Sequence, residues 1–446
     1  MVLHALSLIQ KQVNSFNIVA EESTMTSQAV DDITPHHAAC CSVIPTYILS
    51  KIADSPDAPD AAREHARNAL VHTRTIIQRH QESILRQINA TPAQGASHQG
   101  IIPDHISNSI ANSYPAGSEG EDAAQRTLSL SAEIRDNREA HADSLRDAQA
   151  KPPTTKRLKR VVYDAKHTEI LDEKLVRSEG GPATSDPAAD ECYDGLGATF
   201  NFYSDILSRN SINGAGMSLI GTVHFDKNYN NAYWDGKQMV FGDGDGTYFN
   251  RFTASLDVIG HELAHGVTQF TANLIYEGET GALNESMSDV FGCMIKQYKL
   301  NQTSAEADWL IGVGLFTPAV NGKSLRSMKA PGTAYDDPVI GKDLQVANYA
   351  DVLTSELPSD FDNGGVHIYS GVPNRAFYLV ATELGGHSWD RAGKIWWAAL
   401  TDRRLTPSSK FQAFAKLTVE KAETLYDQSV KAVVEHAWKE VGVDTG

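Results

Sequence analysis

The chemically most pointed stretch of this chain is His261, Glu262, Leu263, Ala264 and His265. On a helix, positions i and i+4 share a face, so both imidazoles can address one ion. Nitrogen donors suit Zn²⁺. A catalytic zinc takes three ligands from the protein and leaves a fourth place for water. Two histidines at this spacing also occur on ordinary helices, and the flanking residues decide between the readings. Leu256, Val258, Ile259, Leu263 and Val267 give the stretch the apolar character of a buried helix. Twenty residues past His265 comes Glu285, which can supply the third ligand from a second helix. Asp289 follows one turn later on the same face, where it can accept the free N–H of a ligating histidine and fix its tautomer. Such a zinc activates water for amide hydrolysis and polarises the scissile carbonyl. Glu262, beside a ligand but not itself one, is then the carboxylate that moves the proton.

Spacing narrows the class. A third histidine ligand would require glycine and histidine three and six residues after His265, where Thr268 and Thr271 stand. In zinc aminopeptidases the ligand glutamate falls one residue earlier, which is Asn284 here.

These residues need elements to position them. With 446 residues the chain is long enough for two or three domains. A hydrophobic content of 41% and a charged content of 21% suit a globular protein. The net charge of −17 disfavours a nucleic-acid partner, because phosphate binding needs a basic face. No apolar run is long enough to span a membrane, and residues 1–16 lack the basic start of a signal peptide. Cys40, Cys41, Cys192 and Cys293 show neither CxxC pairing nor zinc-finger spacing.

Residues 1–42 are unpatterned. Residues 43–49 form an apolar extended segment, and a helical pattern covers about 61–88 with Ala66, Leu70, Ile77 and Ile84 near helical period. Residues 91–157 read as a linker with a weak helix near 125–149, ending in the basic, proline-containing junction KPPTTKRLKR. From Val161 to Gly246, alternating stretches such as 221–225 and 238–241 among Gly and Asn suggest a twisted antiparallel sheet. Beyond Ser255 helical patterns dominate. Asp243 and Asp245 do not make a calcium loop, since Tyr248 and Ala254 occupy the sixth and twelfth places. A turn is the better reading.

From about residue 158 to 443 the chain resembles the thermolysin family of zinc endopeptidases. The motifs that carry the resemblance are HELAHGVTQ, GALNESMSD and DNGGVHIYSG, with Asn231-Ala232-Tyr233-Trp234 and Arg326 in matching order and spacing. The segment from Ile44 to Leu49 resembles the short propeptide of protealysin-like members, although Thr46 stands where a second proline is usual.

The resemblance implies an α+β architecture. A β-rich N-terminal lobe (158–275) carries the His261 helix, a helical C-terminal lobe (276–446) follows, and zinc lies in the cleft between them. A small helical propeptide with linker (43–157) precedes both. His261, His265 and Glu285 become the metal ligands, with Asp289 behind them. Glu262 becomes the catalytic base, His367 and Tyr276 oxyanion donors, and Asp362 the orienter of His367. Asn231 and the Ala232 carbonyl would hold the peptide main chain, and Arg326 a carbonyl beyond the cleaved bond. Phe249, Phe252, Val258 and Leu325 would form an apolar pocket, which implies cleavage on the amino side of bulky apolar residues. The expected partners are peptide and protein substrates and the chain's own propeptide, and the protein is expected to act as a secreted monomer made as a self-processing zymogen. One zinc is expected. Thermolysin's double calcium site is not, because only Asp257 and Asp308 remain, with Lys296, Leu310 and Val313 at the other positions. The competing reading is a catalytically inactive relative acting as a binding or inhibitory module.

Overall fold

The structure is a computed structural model that describes residues 104–115, 118, 120–127, 157–355, 357–358 and 361–446. The extended segment 43–49, the helix expected over 61–88, Cys40, Cys41 and most of the 125–149 stretch lie outside the described residues.

The interval expected to be linker contains helix α1 (Asp104–Ser113) and a helical run over 120–127. Its Ser- and Asn-rich composition hides a small apolar face. Ile110, Ala111, Ala123 and Ala124 are all buried.

The sheet comes next, with β1 (Arg160–Asp164), β2 (Lys174–Ser178), β3 (Leu219–Val223), β4 (Ala232–Trp234) and β5 (Met239–Phe241) in the order β2-β1-β3-β5-β4. β3 and β5 fall on the alternating stretches read from the sequence, but the antiparallel expectation is corrected. β1 pairs with β3 and β3 with β5 in parallel, and only the outer pairs, β1/β2 and β4/β5, are antiparallel. A parallel neighbour needs a long crossover. Here that connection contains α2 (Pro187–Leu207), a helix the sequence reading missed. Asp186 caps it, accepting from the Ala188 N–H, and Pro187 opens it. Gly195 and Gly197 disguise it, because glycine inside a pattern reads as sheet or turn. In the fold they are contact points. A Cβ on Gly195 would meet Ile259 at 2.4 Å.

α3 (Leu256–Gln269) carries the two histidines and α4 (Gly278–Leu300) carries Glu285. The two helices press together at glycine. A Cβ on Gly292 would lie 2.5 Å from the Asp257 carbonyl oxygen and 3.0 Å from the His261 nitrogen. This close approach lets ligands from two helices converge on one point. β6 (Leu310–Ile311) and β7 (Arg326–Ser327) pair antiparallel, with Ile311 opposite Arg326. A short antiparallel pair, β8 (Asp336–Asp337) and β9 (Gly341–Lys342), comes next, and the elements after it are helices: α5 (Tyr349–Ser355), α6 (Asp362–Tyr369), α7 (Gly371–Leu384), α8 (Ala392–Leu400), α9 (Phe411–Leu425) and α10 (Gln428–Glu440). Stacked Trp396 and Trp438, ring centres 5.9 Å apart, anchor α8 to α10.

Candidate metal centre and active site

His261, His265 and Glu285 meet in the buried interior between α3 and α4. The two Nε2 atoms are 3.0 Å apart. Glu285 Oε2 lies 3.5 Å from His261 Nε2, and Oε1 lies 3.4 Å from His265 Nε2. Donors about 2.0–2.1 Å from a tetrahedral zinc stand about 3.3 Å from one another, so this set fits zinc. Glu285 Oε2 is buried and makes no hydrogen bond among the described residues, with His367 Nε2 3.4 Å away, as a carboxylate oxygen facing a cation would be.

The outward ring nitrogens are each held. His261 Nδ1 pairs with Asp289 Oδ1 at 2.8 Å. His265 Nδ1 lies 3.1 Å from Asn284 Oδ1 and 2.7 Å from Ser288 Oγ. The Asn284 amide is itself oriented by donating to the Leu274 carbonyl. Both rings are therefore locked with Nε2 toward the centre. Asn284 and Ser288 did not emerge from the sequence as site residues. Their i, i+4 spacing beside the Glu285/Asp289 pair is the signal that could have found them.

Asp289 is the hub of a larger buried network. Arg326 donates to it twice, through Nε at 2.8 Å and Nη2 at 2.7 Å, and Asn374 Nδ2 donates at 2.8 Å. Burial works to raise the Asp289 pKa, but Arg326 and His261 outweigh it and hold the group well below the usual carboxylate range. Arg326, expected beside substrate, thus has two of its nitrogens on Asp289, and Nη1 lies outside that pair.

On the far side of Glu285 stand Tyr276 and His367. The Tyr276 hydroxyl donates to Glu285 Oε1 and lies 3.2 Å from His367 Nε2. His367 Nδ1 pairs with Asp362 at 2.7 Å, and the His367 backbone N–H donates to the same carboxylate. Burial would lower the His367 pKa, but Glu285 and Asp362 outweigh it and raise the value. The loop that makes this contact is strained. Asp362 and Asn363 adopt φ of 52° and 47°, and Gly364 and Gly365 follow at 75° and 88°. Non-glycine residues held in the left-handed region are concentrated at functional sites.

The sheet edge reaches the same place. β4 is the last strand, and its Trp234 N–H donates to Glu262 Oε2 at 3.3 Å. Asn231 and Ala232 sit at its start, both buried. Phe249 and Phe252 are in ring contact at 5.7 Å, and Val258 and Leu325 are buried in the same core.

Two further charged clusters stand outside the centre. Lys296 Nζ lies 2.8 Å from Asp257 Oδ2, 3.0 Å from Asp308 Oδ1 and 2.8 Å from the Leu310 carbonyl oxygen. Burial works to lower its pKa, but Asp257, with Asp308, outweighs it and keeps the ammonium charged.

His167, His224 and Asp243 also stand close enough to hold a metal. However, both His224 ring nitrogens are engaged by carboxylates, Asp243 and Asp186, each at 2.8 Å. The bond to Asp243, supported by Asp186 and opposed by burial, raises the His224 pKa to about 9. A metal would have to displace a firmly held proton, so this is a charge-paired staple joining α2 to the sheet. A raised pKa stabilises the fold fully below the unfolded value of about 6.5 and ceases to do so as pH passes about 9. His224 keeps some contact with water, and after solvent screening the effect is about 1–2 kcal/mol. Between pH 6 and pH 10 the wild type should lose ~1–3 °C more in Tm than His224→Gln. Equal losses would show that the staple contributes nothing.

Comparison with known proteins identifies the family. Residues 129–269 match the family described as thermolysin metallopeptidase, catalytic domain, and residues 272–443 its alpha-helical domain. Residues 41–88 match the protealysin propeptide. An extracellular metalloprotease of Pectobacterium carotovorum subsp. carotovorum is 50% identical over 285 residues, 64% of this chain and 81% of that protein. Protease PrtS of Photorhabdus sp. (strain Az29) is 46% identical over 352 residues, 78% of this chain and 93% of that protein. The solved precursor of protealysin, a metalloproteinase from Serratia proteamaculans, superposes with a TM-score of 0.69 at 47% identity, covering 78% of this chain and all of that one.

A sheet-containing lobe followed by a helical domain, with a His-His-Glu centre, defines a zinc metalloendopeptidase. The chain belongs to the thermolysin family and carries a protealysin-type propeptide. No helix among the described residues is long and apolar enough to cross a membrane.

Proposed function

We propose that this zinc endopeptidase cleaves peptide bonds on the amino side of bulky apolar residues, that it is made as a self-processing zymogen, and that it works outside the cell as a monomer. The observation that supports the cleavage reading is the edge strand β4, which has one strand neighbour among the described residues and lies against Glu262 beside the ligand triad. An extended peptide can add to such an edge through its main chain, which delivers its amide to the base.

His261, His265 and Glu285 hold the zinc, which when bound polarises the scissile carbonyl and activates water. Glu262 takes the proton from the attacking water and passes it to the leaving amine. His367, kept charged by Asp362, and the Tyr276 hydroxyl donate to the oxyanion, and one such donor is typically worth ~2.7–4 kcal/mol. Asp289 orients His261. Asn231 and the Ala232 carbonyl align the peptide, and Arg326 reaches a carbonyl beyond the cleaved bond. Phe249, Phe252, Val258 and Leu325 form the apolar pocket. The lobes divide near residue 275. An extracellular site of action is supported by the name of the Pectobacterium relative. A phenanthroline chelator should abolish casein cleavage, and mass spectrometry of the products should show new N-termini enriched in Leu, Phe and Ile. Chelator-resistant cleavage, or N-termini without that bias, would refute the reading. The inactive-relative alternative is not favoured, because ligands, base and donors are all present.

Lys296 takes the place of a structural calcium ion, bridging Asp257, Asp308 and the Leu310 carbonyl. A calcium-selective chelator should leave the Tm unchanged within ~1 °C. Lys296→Met should destabilise the protein by about 3–5 kcal/mol, because it leaves Asp257 buried and unpaired. A large Tm drop on calcium removal would contradict this assignment.

A further inference from the structure

The family match breaks between residues 88 and 129, and α1 with the helical run 120–127 lies inside that gap. This insert is firmly seated. Ser109, Ile110, Ala111, Asn112, Ala123 and Ala124 are at most 1% exposed. Ile110, Ala111 and Ala124 join the same apolar core as residues of α3 and α4. Tyr114 ties the insert together, since a Cβ on Gly120 would meet its ring at 2.6 Å.

The seat consists of two loops, 226–230 and 243–248. The Tyr114 hydroxyl donates to Asp245 Oδ2 at 3.2 Å, and its ring meets Tyr248 edge-on at 6.3 Å. Asp245 is itself fixed, because its Oδ1 accepts the N–H groups of Thr247, Tyr248 and Phe249. Asn230 donates its N–H to Thr127 at 3.4 Å and its side-chain amide to Asp245 at 2.9 Å. Arg126 pairs with Asp226 at 3.3 Å. These loops lead directly into the proposed substrate groups, since Asn230 precedes Asn231 and Tyr248 precedes Phe249.

We propose that residues 104–115 and 120–127 form a strap, a second docking segment outside the family match that fastens the N-terminal region to the rim of the sheet lobe beside the peptide-binding edge. A cut in the basic junction 151–160 leaves the strap on the N-terminal fragment. The fragment then stays seated, and its release, rather than the cut alone, sets the onset of activity. This deepens the zymogen reading and rests on it.

The experiment has two arms. In the full chain carrying Glu262→Gln, which does not cut itself, amides 109–112 and 123–127 should be protected from hydrogen exchange. Tyr114→Ala with Arg126→Glu should raise exchange there and in 226–230 and 243–248 by about tenfold. In the chain with an intact base, the same pair of substitutions should release the cut fragment on gel filtration. It should also shorten the lag to full activity several-fold, without changing the final kcat/KM. Arg126→Glu alone, which removes only a half-exposed ion pair, should move each readout part of the way. Unprotected amides in the parent chain, or an unchanged lag once the fragment is freed, would overturn the strap. An uncut chain with full activity would refute the zymogen reading and the restraining role together, and the exchange arm would still show whether the strap is docked.

Discussion

Glu262→Gln is expected to keep its fold and its zinc and to lose all but ~1% of peptide cleavage, since a general base contributes about 10²–10⁴-fold. The amide nearly matches the carboxylate in size, so the Trp234 N–H keeps an oxygen acceptor at that position. None of the three side chains proposed to hold the zinc is altered. What disappears is a group able to accept a proton from water. The same substitution should arrest self-processing. On a gel the wild type should shorten to a fragment beginning near residues 150–165, while the variant stays whole. Activity well above 1%, measured with a fluorogenic peptide on protein of verified zinc content, would remove Glu262 from the proposed role.

Asp289→Ala should damage both the fold and the metal site. Asp289 is fully buried and receives Arg326, Asn374 and His261. Its removal strands the Arg326 guanidinium in the interior, and breaking one side of a buried pair costs about 3–5 kcal/mol. It also frees the His261 ring to turn, and loss of such an outer partner weakens metal binding by roughly 10–100-fold. Thermal melting and zinc competition with a chelator report the two effects separately. Adding Arg326→Met should restore part of the stability, because no charge is then left unpaired, but none of the zinc affinity. If Asp289→Ala alone melts like the wild type, the network does not hold the site as described.

His261, His265, Glu285 and Asp289 were legible from the sequence because their relations are local. Each pair lies one helical turn apart, and helical periodicity alone places them on shared faces. The alternating stretches that became β3 and β5 were legible for the same reason, a period of two. Other features depend on residues far apart in the chain. Asn374 reaches Asp289 across 85 positions. The parallel pairing of β1 with β3 depends on where α2 packs, and the glycines in α2 make sense only against Ile259 and Arg160. The substitution of Lys296 for carboxylates could be read from the sequence. Its placement on Asp257, Asp308 and the Leu310 carbonyl required the fold. The strap marks the clearest division. Its Ser, Asn and Ala composition predicts a linker, because so small an apolar face does not stabilise a helix in water. Only the tertiary structure supplies the apolar core that Ile110, Ala111 and Ala124 join, and Tyr248, Asp245 and Asn230 as partners for Tyr114 and Thr127.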